Sequence, residues 1–151
     1  MTDTNNQNIL VLGGAGFIGS HLCEALVKKG NNVVCVDNFI SSDVENIKRL
    51  LEYPNFEFVR HDITEEIDLE SLPELQKFRV EVYGFKEIYN FACPTSARDY
   101  TKLPVETAIA NSVGVINSLE LAKKFKAKYL LASTAAVYGQ PPKDNSKVKE
   151  D

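Results

Sequence analysis

The sequence predicts an α/β fold: a doubly wound parallel sheet of the Rossmann type, with helices on both faces. Three observations carry this. Apolar runs of five or six residues alternate with amphipathic helical stretches. The runs are continuous rather than alternating in and out, as in strands buried on both faces. A glycine-rich turn, Gly13-Gly14-Ala15-Gly16-Phe17-Ile18-Gly19, joins the first run to the first helix. Right-handed crossovers between parallel strands then favour the order 3-2-1-4-5. Ligands of such sheets bind at the carboxyl ends of the strands where the order reverses, here between strands one and four.

The first strand is Asn8–Leu12 (NILVL). Phe17–Lys29 reads as a helix whose apolar residues Ile18, Leu22, Ala25 and Leu26 recur at helical spacing, and Gly30 ends it. Asn32–Val36 is the second strand. Ser42 and Asp43 cap a helix expected to reach Leu51, and Pro54 ends any continuation. Phe56–Arg60 is the third strand, and Thr64–Leu69 is an acidic turn or short helix. Ser71–Phe85 holds Pro73 and several charges; it reads as a surface loop or short hairpin, with a possible strand around Arg79–Tyr83. Glu87–Ala92 is the fourth strand. Leu103–Lys126 is one long helix with Pro104 in its first turn, and Lys128–Ser133 is the fifth strand. The polar stretch Pro141–Asp151 adds no element.

The 151 residues are 44% hydrophobic and 25% charged, with a net charge of −4. That composition fits one globular domain over residues 1–151 with a sizeable core. The acidic balance argues against nucleic acid or an anionic membrane as partner. The longest apolar stretch, Ile9–Gly19, falls short of the roughly 20 residues that span a bilayer. Met1–Asn8 lacks the basic-then-apolar order of a signal peptide. Cys23, Cys35 and Cys93 show no metal-ligand spacing, so no metal site is expected and they read as free thiols in a cytoplasmic protein.

Glycines placed after a strand and before a helix signal dinucleotide binding; a glycine-rich turn without a ligand is the plain alternative. Gly13 permits the tight turn, Gly16 lets a pyrophosphate approach the backbone, and Gly19 lets the helix lie close to the sheet. The free N–H groups where the helix starts, at Phe17 and Ile18, then point at the phosphates. The spacing is GxxGxxG rather than GxGxxG. Asp37 ends the second strand, 18 residues after Gly19. A carboxylate there accepts hydrogen bonds from the adenosine ribose and repels a 2′-phosphate. No arginine lies near it, Asn38-Phe39-Ile40 following, so NAD is expected over NADP. An Asp that merely caps a turn is the alternative.

In order over Asn8–Gln140, the segments GGAGFIGSHL, VDNF, HDIT, NFACPTS and STAAVYG resemble the extended short-chain dehydrogenase/reductase family. Its members are nucleotide-sugar epimerases, dehydratases and decarboxylases. The resemblance implies an enzyme that uses NAD and acts on a nucleotide sugar. It implies that Asp37 and Asn38 hold the ribose and that Asp62 binds the adenine amino group with Ile63 packed beside it. It also implies that Phe91, Ala92, Cys93 and Pro94 line the cofactor cleft. Asn111 matches the family's helix asparagine near the active site. Thr134, four residues before the tyrosine of VYG, matches the hydroxyl that bonds the reacting sugar oxygen, and is the candidate catalytic residue. The polar members have plainer alternatives: a cap with Thr64 for Asp62, an ordinary helix asparagine for Asn111, a helix cap for Thr134.

The family's general base is a tyrosine followed four residues later by lysine. After Tyr53, Tyr83, Tyr89, Tyr100, Tyr129 and Tyr138, that position holds Glu57, Glu87, Cys93, Pro104, Ser133 and Pro142. The resemblance therefore implies the cofactor-binding portion of a longer enzyme, with the Tyr-x-x-x-Lys helix and the sugar-binding lobe outside the chain and no turnover by these residues alone. Cys93-Pro94-Thr95-Ser96, with Tyr100, is similar to a segment of UDP-glucuronate decarboxylases. However, Ala135–Ala136 stand where dehydratases carry an Asp–Glu pair and decarboxylases a glutamate. Ile109–Ala110 and Ser41-Ser42-Asp43 also depart from the decarboxylases. C4 epimerisation by transient oxidation is favoured, with UDP-glucuronate decarboxylation as the alternative. A non-catalytic NAD-binding module is the alternative of another class. The 103–126 helix is expected to pair two copies in a homodimer, leaving Val105, Ile109, Val113 and Ile116 exposed in the chain alone.

Overall fold

The computed structural model describes residues 6–139; Gln140 and the polar stretch Pro141–Asp151 lie outside them. Five parallel strands form one sheet in the expected order, β3-β2-β1-β4-β5. They are β1 (Asn8–Leu12), β2 (Asn32–Asp37), β3 (Phe56–Arg60), β4 (Glu87–Asn90) and β5 (Lys128–Leu131). Central β1 feeds two cores through its alternating side chains. Leu10 and Leu12 join Val34, Val36 and Ile88 on one face. Ile9 and Val11 join Val33 and Cys35 on the other. Burial on both faces is why β1 and β2 read as unbroken apolar runs. β5 lies at the sheet edge, and there Leu130 and Leu131 stay 47% exposed.

Helix α1 (Phe17–Lys28) covers the second face and buries Gly19, Ser20, Cys23, Leu26 and Val27. Ile18 and Ala25 point to solvent, so the buried stripe is rotated from the expected one. The contact of Gly19 with the glycine turn orients the helix. The helix expected up to Leu51 is instead two separate 3-10 turns, Val44–Asn46 and Leu50–Glu52. Asp43 caps the first, accepting from the Glu45 N–H at 3.0 Å. Ser42 does not cap; its hydroxyl donates to Asp37. Residues 64–69 form turns without a helix.

The Ser71–Phe85 stretch is core rather than surface loop. Pro73–Phe78 is a 3-10 helix and α2 (Val80–Tyr83) is a single helical turn. Leu75, Phe78, Val80 and Phe85 are buried in the first core. Buried Asn8 clamps the segment: its Nδ2 donates to the Phe78 and Gly84 carbonyls, both at 3.0 Å. Arg79, at φ +50°, makes the corner between the two helical pieces, where a strand was expected. The charges of Glu74, Lys77 and Glu81 mark only its outer side.

The expected 103–126 helix is a chain of pieces. α3 (Ala97–Lys102) precedes it, and α4 (Pro104–Ile109), a π-helical turn (Ala110–Gly114) and α5 (Val115–Phe125) make it up. Asparagine, serine and glycine are weak helix formers. Asn111 Nδ2 and Ser112 Oγ donate to the carbonyls of Thr107 and Ala108, at 2.8 and 2.7 Å, competing with backbone donors. Gly114 admits Ile63, since a Cβ there would lie 2.5 Å from the Ile63 Cδ1. Val105, Ile109, Val113, Ile116 and Leu119 form a stripe 40% to 63% exposed. Among the described residues no helix is long and apolar enough to cross a membrane.

If 71–85 is core, Leu75→Ala should cost about 2–5 kcal/mol, the range for a buried leucine. Urea denaturation measures it; a change within about 0.5 kcal/mol, as for a surface site, would return the segment to the surface.

Candidate functional site

The turn leaving β1 passes between the ends of β2 and β4. The Gly13 N–H donates to the Val36 carbonyl at 2.8 Å. Gly13 sits at φ +72°, and a Cβ on it would lie 2.6 Å from the Ala92 nitrogen. A Cβ on Gly19 would lie 2.3 Å from the Gly13 carbonyl oxygen, so its closeness serves the turn rather than the sheet. Both glycines are demanded by the fold. Gly16 differs. It has ordinary extended backbone angles, and a Cβ there would meet only the Gly13 oxygen, at 3.3 Å. That contact is tight, but no other atom lies within 4 Å, so the space around Gly16 opens mainly onto the cleft beside it. Among the described residues, the amides of Phe17 and Ile18 meet no acceptor, and the two side chains are exposed. With the positive end of the α1 dipole, they make a corner whose chemistry suits an anion.

A cleft of about 160 Å³ opens next to this corner. Gly13 and Gly16 line it, with Asp37 and Asn38 from the end of β2, Asp62 and Ile63 from the end of β3, and Phe91, Ala92, Cys93 and Pro94 from the end of β4. The structure thus gathers most of the sequence-predicted residues around one space. Buried Asp37 is braced by three donors: Ala15 N–H on Oδ2 at 3.0 Å, Phe39 N–H and Ser42 Oγ on Oδ1 at 2.9 and 2.7 Å. A carboxylate has about four acceptor positions, so capacity remains for a ligand hydroxyl. Asn38 Nδ2 donates to Asp62 Oδ2 at 2.8 Å, and its Oδ1 accepts from the Ile40 N–H. Asp62 Oδ1 accepts from the Thr64 N–H and Oγ1 at 2.8 and 2.7 Å. Asp62 therefore caps the Thr64 turn and lines the cleft at once. Partial burial pushes its carboxyl up, but the bonds from Thr64 and Asn38 outweigh this and hold it below the usual range.

Asn111 and Thr134 are not among the residues that line the cleft. Asn111, in the π-helical turn, donates to Cys93 Sγ at 2.8 Å and so ties that turn to one lining residue of the cleft. π-helical turns recur at functional sites. Thr134 follows β5 and caps the 3-10 turn Ala135–Tyr138, its Oγ1 accepting from the Ala136 N–H at 3.2 Å. It does not line the described cleft. Tyr89 donates to Glu87 at 2.7 Å, and burial with that carboxylate pushes its pKa up to about 12, which removes it as a base at neutral pH. Cys23, Cys35 and Cys93 are free thiols.

Sequence reasoning missed Ile40, Ser41, His61 and Glu106 as lining residues, and Ser42 as a partner of Asp37. The rule that ligands sit beyond strand ends points to the residues just after β2 and β3; nothing local points to Glu106. One expectation is overturned. An arginine does lie near Asp37: Arg60 is its register partner across the β2–β3 pair. The two are far apart in sequence, so neighbouring residues could not reveal it.

The GDP-mannose 4,6 dehydratase family profile matches residues 10–151. UDP-glucuronic acid decarboxylase 4 of Arabidopsis thaliana is 44% identical over 133 residues, 88% of this chain and 27% of that protein. The chain spans 27% to 36% of the length of the curated relatives it matches. Among solved structures, UDP-glucose 4-epimerase of Thermotoga maritima with UDP-glucose is 32% identical with a TM-score of 0.68, over 90% of this chain and 41% of that one. UDP-glucose 4-epimerase of Stenotrophomonas maltophila, with bound NAD and formylated UDP-arabinopyranose, is 29% identical with a TM-score of 0.69, over 89% and 39%.

The lowered Asp62 carboxyl has a signed consequence. Its stabilising contribution is complete above the unfolded value near pH 4 and is lost as the pH falls through the lower folded value. Asp62→Ala should therefore flatten the acid limb of the stability–pH curve below about pH 4, read from denaturant melts at stepped pH. An acid limb as steep as wild type would remove Asp62 from the balance.

Proposed function

The chain belongs to the GDP-mannose 4,6 dehydratase family, and we propose that it is the NAD-binding portion of an enzyme that remodels a nucleotide sugar by transient oxidation at C4. The observation that carries this reading is the space kept open beside Gly16, between two unpaired amides and the braced Asp37 carboxylate. In the proposal the amides of Phe17 and Ile18 hold the pyrophosphate, with Gly13, Gly16 and Gly19 shaping the turn. Asp37 and Asn38 hold the adenosine ribose. Asp62 accepts from the adenine amino group, and Ile63 packs against the ring. Phe91, Ala92, Cys93 and Asn111 wall the remainder of the cofactor path. Once bound, NAD supplies a hydride acceptor and then a hydride donor.

Thr134 is the chain's own candidate for contact with the reacting sugar oxygen. Its Oγ1 already accepts from the Ala136 N–H, which leaves the hydroxyl proton free to donate to a developing carbonyl. The tyrosine–lysine base and the sugar-binding lobe are assigned to the part of the protein beyond these residues. C4 epimerisation is the favoured reaction. Ala135 and Ala136 offer no carboxyl group for elimination, and the solved epimerases are similar in fold. UDP-glucuronate decarboxylation is the second reading, favoured by the 44% identity to a plant decarboxylase. A homodimer through residues 103–126 would cover the exposed apolar stripe, and the setting proposed for it is cytoplasmic.

Calorimetric titration of NAD tests the binding claim. Gly16→Val should weaken NAD by more than about tenfold, the loss of at least one charge-assisted hydrogen bond, and leave far-UV circular dichroism near wild type. Retained affinity would defeat the phosphate cradle. In the full-length protein, Thr134→Ala should lower kcat by about 100-fold or more, the range for a positioned proton donor, with NAD affinity unchanged. Product analysis separates the reactions: the 4-epimer of UDP-glucose, or a UDP-pentose and carbon dioxide from UDP-glucuronate. NAD binding with neither product would favour a non-catalytic module.

A further inference from the structure

Asp37 and Arg60 are partners in the parallel β2–β3 register. Paired residues of neighbouring strands project to the same face of a sheet, with backbones about 4.8 Å apart. That face is the one where Val33, Cys35, Phe56 and Phe58 meet the second core. The Arg60 guanidinium lies 5.8 Å from the centre of the Phe39 ring. Phe39 is itself tied to the ribose corner, because its N–H donates to Asp37 Oδ1 at 2.9 Å. Its ring packs on Phe58, 4.9 Å between centres. The arginine is thus held over an aromatic platform, at the strand position that pairs with the residue whose carboxylate faces the cleft. Its side chain is exposed, and among the described residues no carboxylate lies within ion-pair distance of it. Meanwhile the Asp37 charge is drawn inward by three donors.

We propose that Arg60 is the second determinant of cofactor choice: its guanidinium is placed to meet the 2′-phosphate of a phosphorylated dinucleotide, so the preference for NAD over NADP is the outcome of Asp37 acting against Arg60. The inference rests on the dinucleotide reading above. A guanidinium held over a ring by a cation–π contact can keep edge N–H groups free, and these match a phosphate in two-pronged geometry. Asp37 repels the same phosphate. Removing the carboxylate charge therefore does more than abolish a preference; it exposes a cation already in place.

Calorimetric titrations of NAD and NADP on the 151-residue chain test this, with Asp37→Asn, Arg60→Ala and the double variant. Asp37→Asn keeps the side-chain shape and should raise NADP affinity relative to NAD by roughly tenfold or more, the worth of a charge-assisted contact. Adding Arg60→Ala should erase that gain and change NAD affinity less than about twofold, below the worth of any one such contact. Arg60→Lys should keep part of the gain, which separates a charge effect from lost packing over Phe39. If the gain survives Arg60→Ala, or if Arg60→Ala weakens both dinucleotides equally, the proposal is overturned while the binding site stands. A wild-type chain that binds neither dinucleotide ends both.

Discussion

The chain leaving β1 has to pass between the ends of β2 and β4, and at Gly13 the backbones approach so closely that a side chain would overlap the Ala92 nitrogen. That passage exists only because β1 is central, with β2 on one side and β4 on the other. A turn forced through so narrow a gap needs a left-handed residue, and Gly13 supplies it at φ +72°. From this point the rest of the ligand end follows. The Gly13 N–H is spent on Val36, Ala15 is directed to Asp37, and α1 starts with its first amides turned outward. Gly19, packed on the Gly13 carbonyl, then sets how the helix lies and which of its residues are buried.

The wall of the cleft is held together by hydrogen bonds among the chain's own residues. Asn46 Nδ2 donates to the Ala15 carbonyl at 2.8 Å, so the glycine turn is held from the loop after β2 as well as from Asp37. Asn38 links the end of β2 to Asp62 after β3, and Asn90 joins β4 to Ser118 of α5 and to Tyr129 of β5. Among the described residues no buried side-chain polar atom is left without a partner. Carboxylates fixed by several donors stay aimed, which lowers the ordering cost of binding. The same bracing draws the charge of Asp37 toward the protein, which gives a neighbouring arginine weight in the balance.

Local patterns carried far. The five strands, the start of α1, the Asp43 cap and the strand order were all legible, because they rest on short-range periodicity and on the handedness of crossovers. The residues around the cleft were legible to the extent that they follow strand ends: Asp37, Asn38, Asp62, Ile63 and Phe91 to Pro94 come together there. Ser71–Phe85 was misread because its charged residues alternate irregularly with Leu75, Phe78, Val80 and Phe85, and only contact with the sheet shows which side is inner. The π-helical turn was hidden because Ala110–Gly114 keeps an apolar spacing compatible with a plain helix, while the side chains of Asn111 and Ser112 compete for its carbonyls.

Sequence alone was enough for the alternation of elements, the sheet order, the glycine turn and the acidic residue that closes β2, since each depends on residues close together along the chain. Folding in three dimensions settled what lies across from that acidic residue, which face of α1 is buried, where the long helix changes pitch, and that a charged stretch with a proline belongs to the core. What faces Asp37 and the burial of the charged stretch depend on contacts between residues 20 or more positions apart, such as Asp37 with Arg60 and Asn8 with Gly84. The free energy of such a contact comes from desolvation and packing, which no local window of sequence contains.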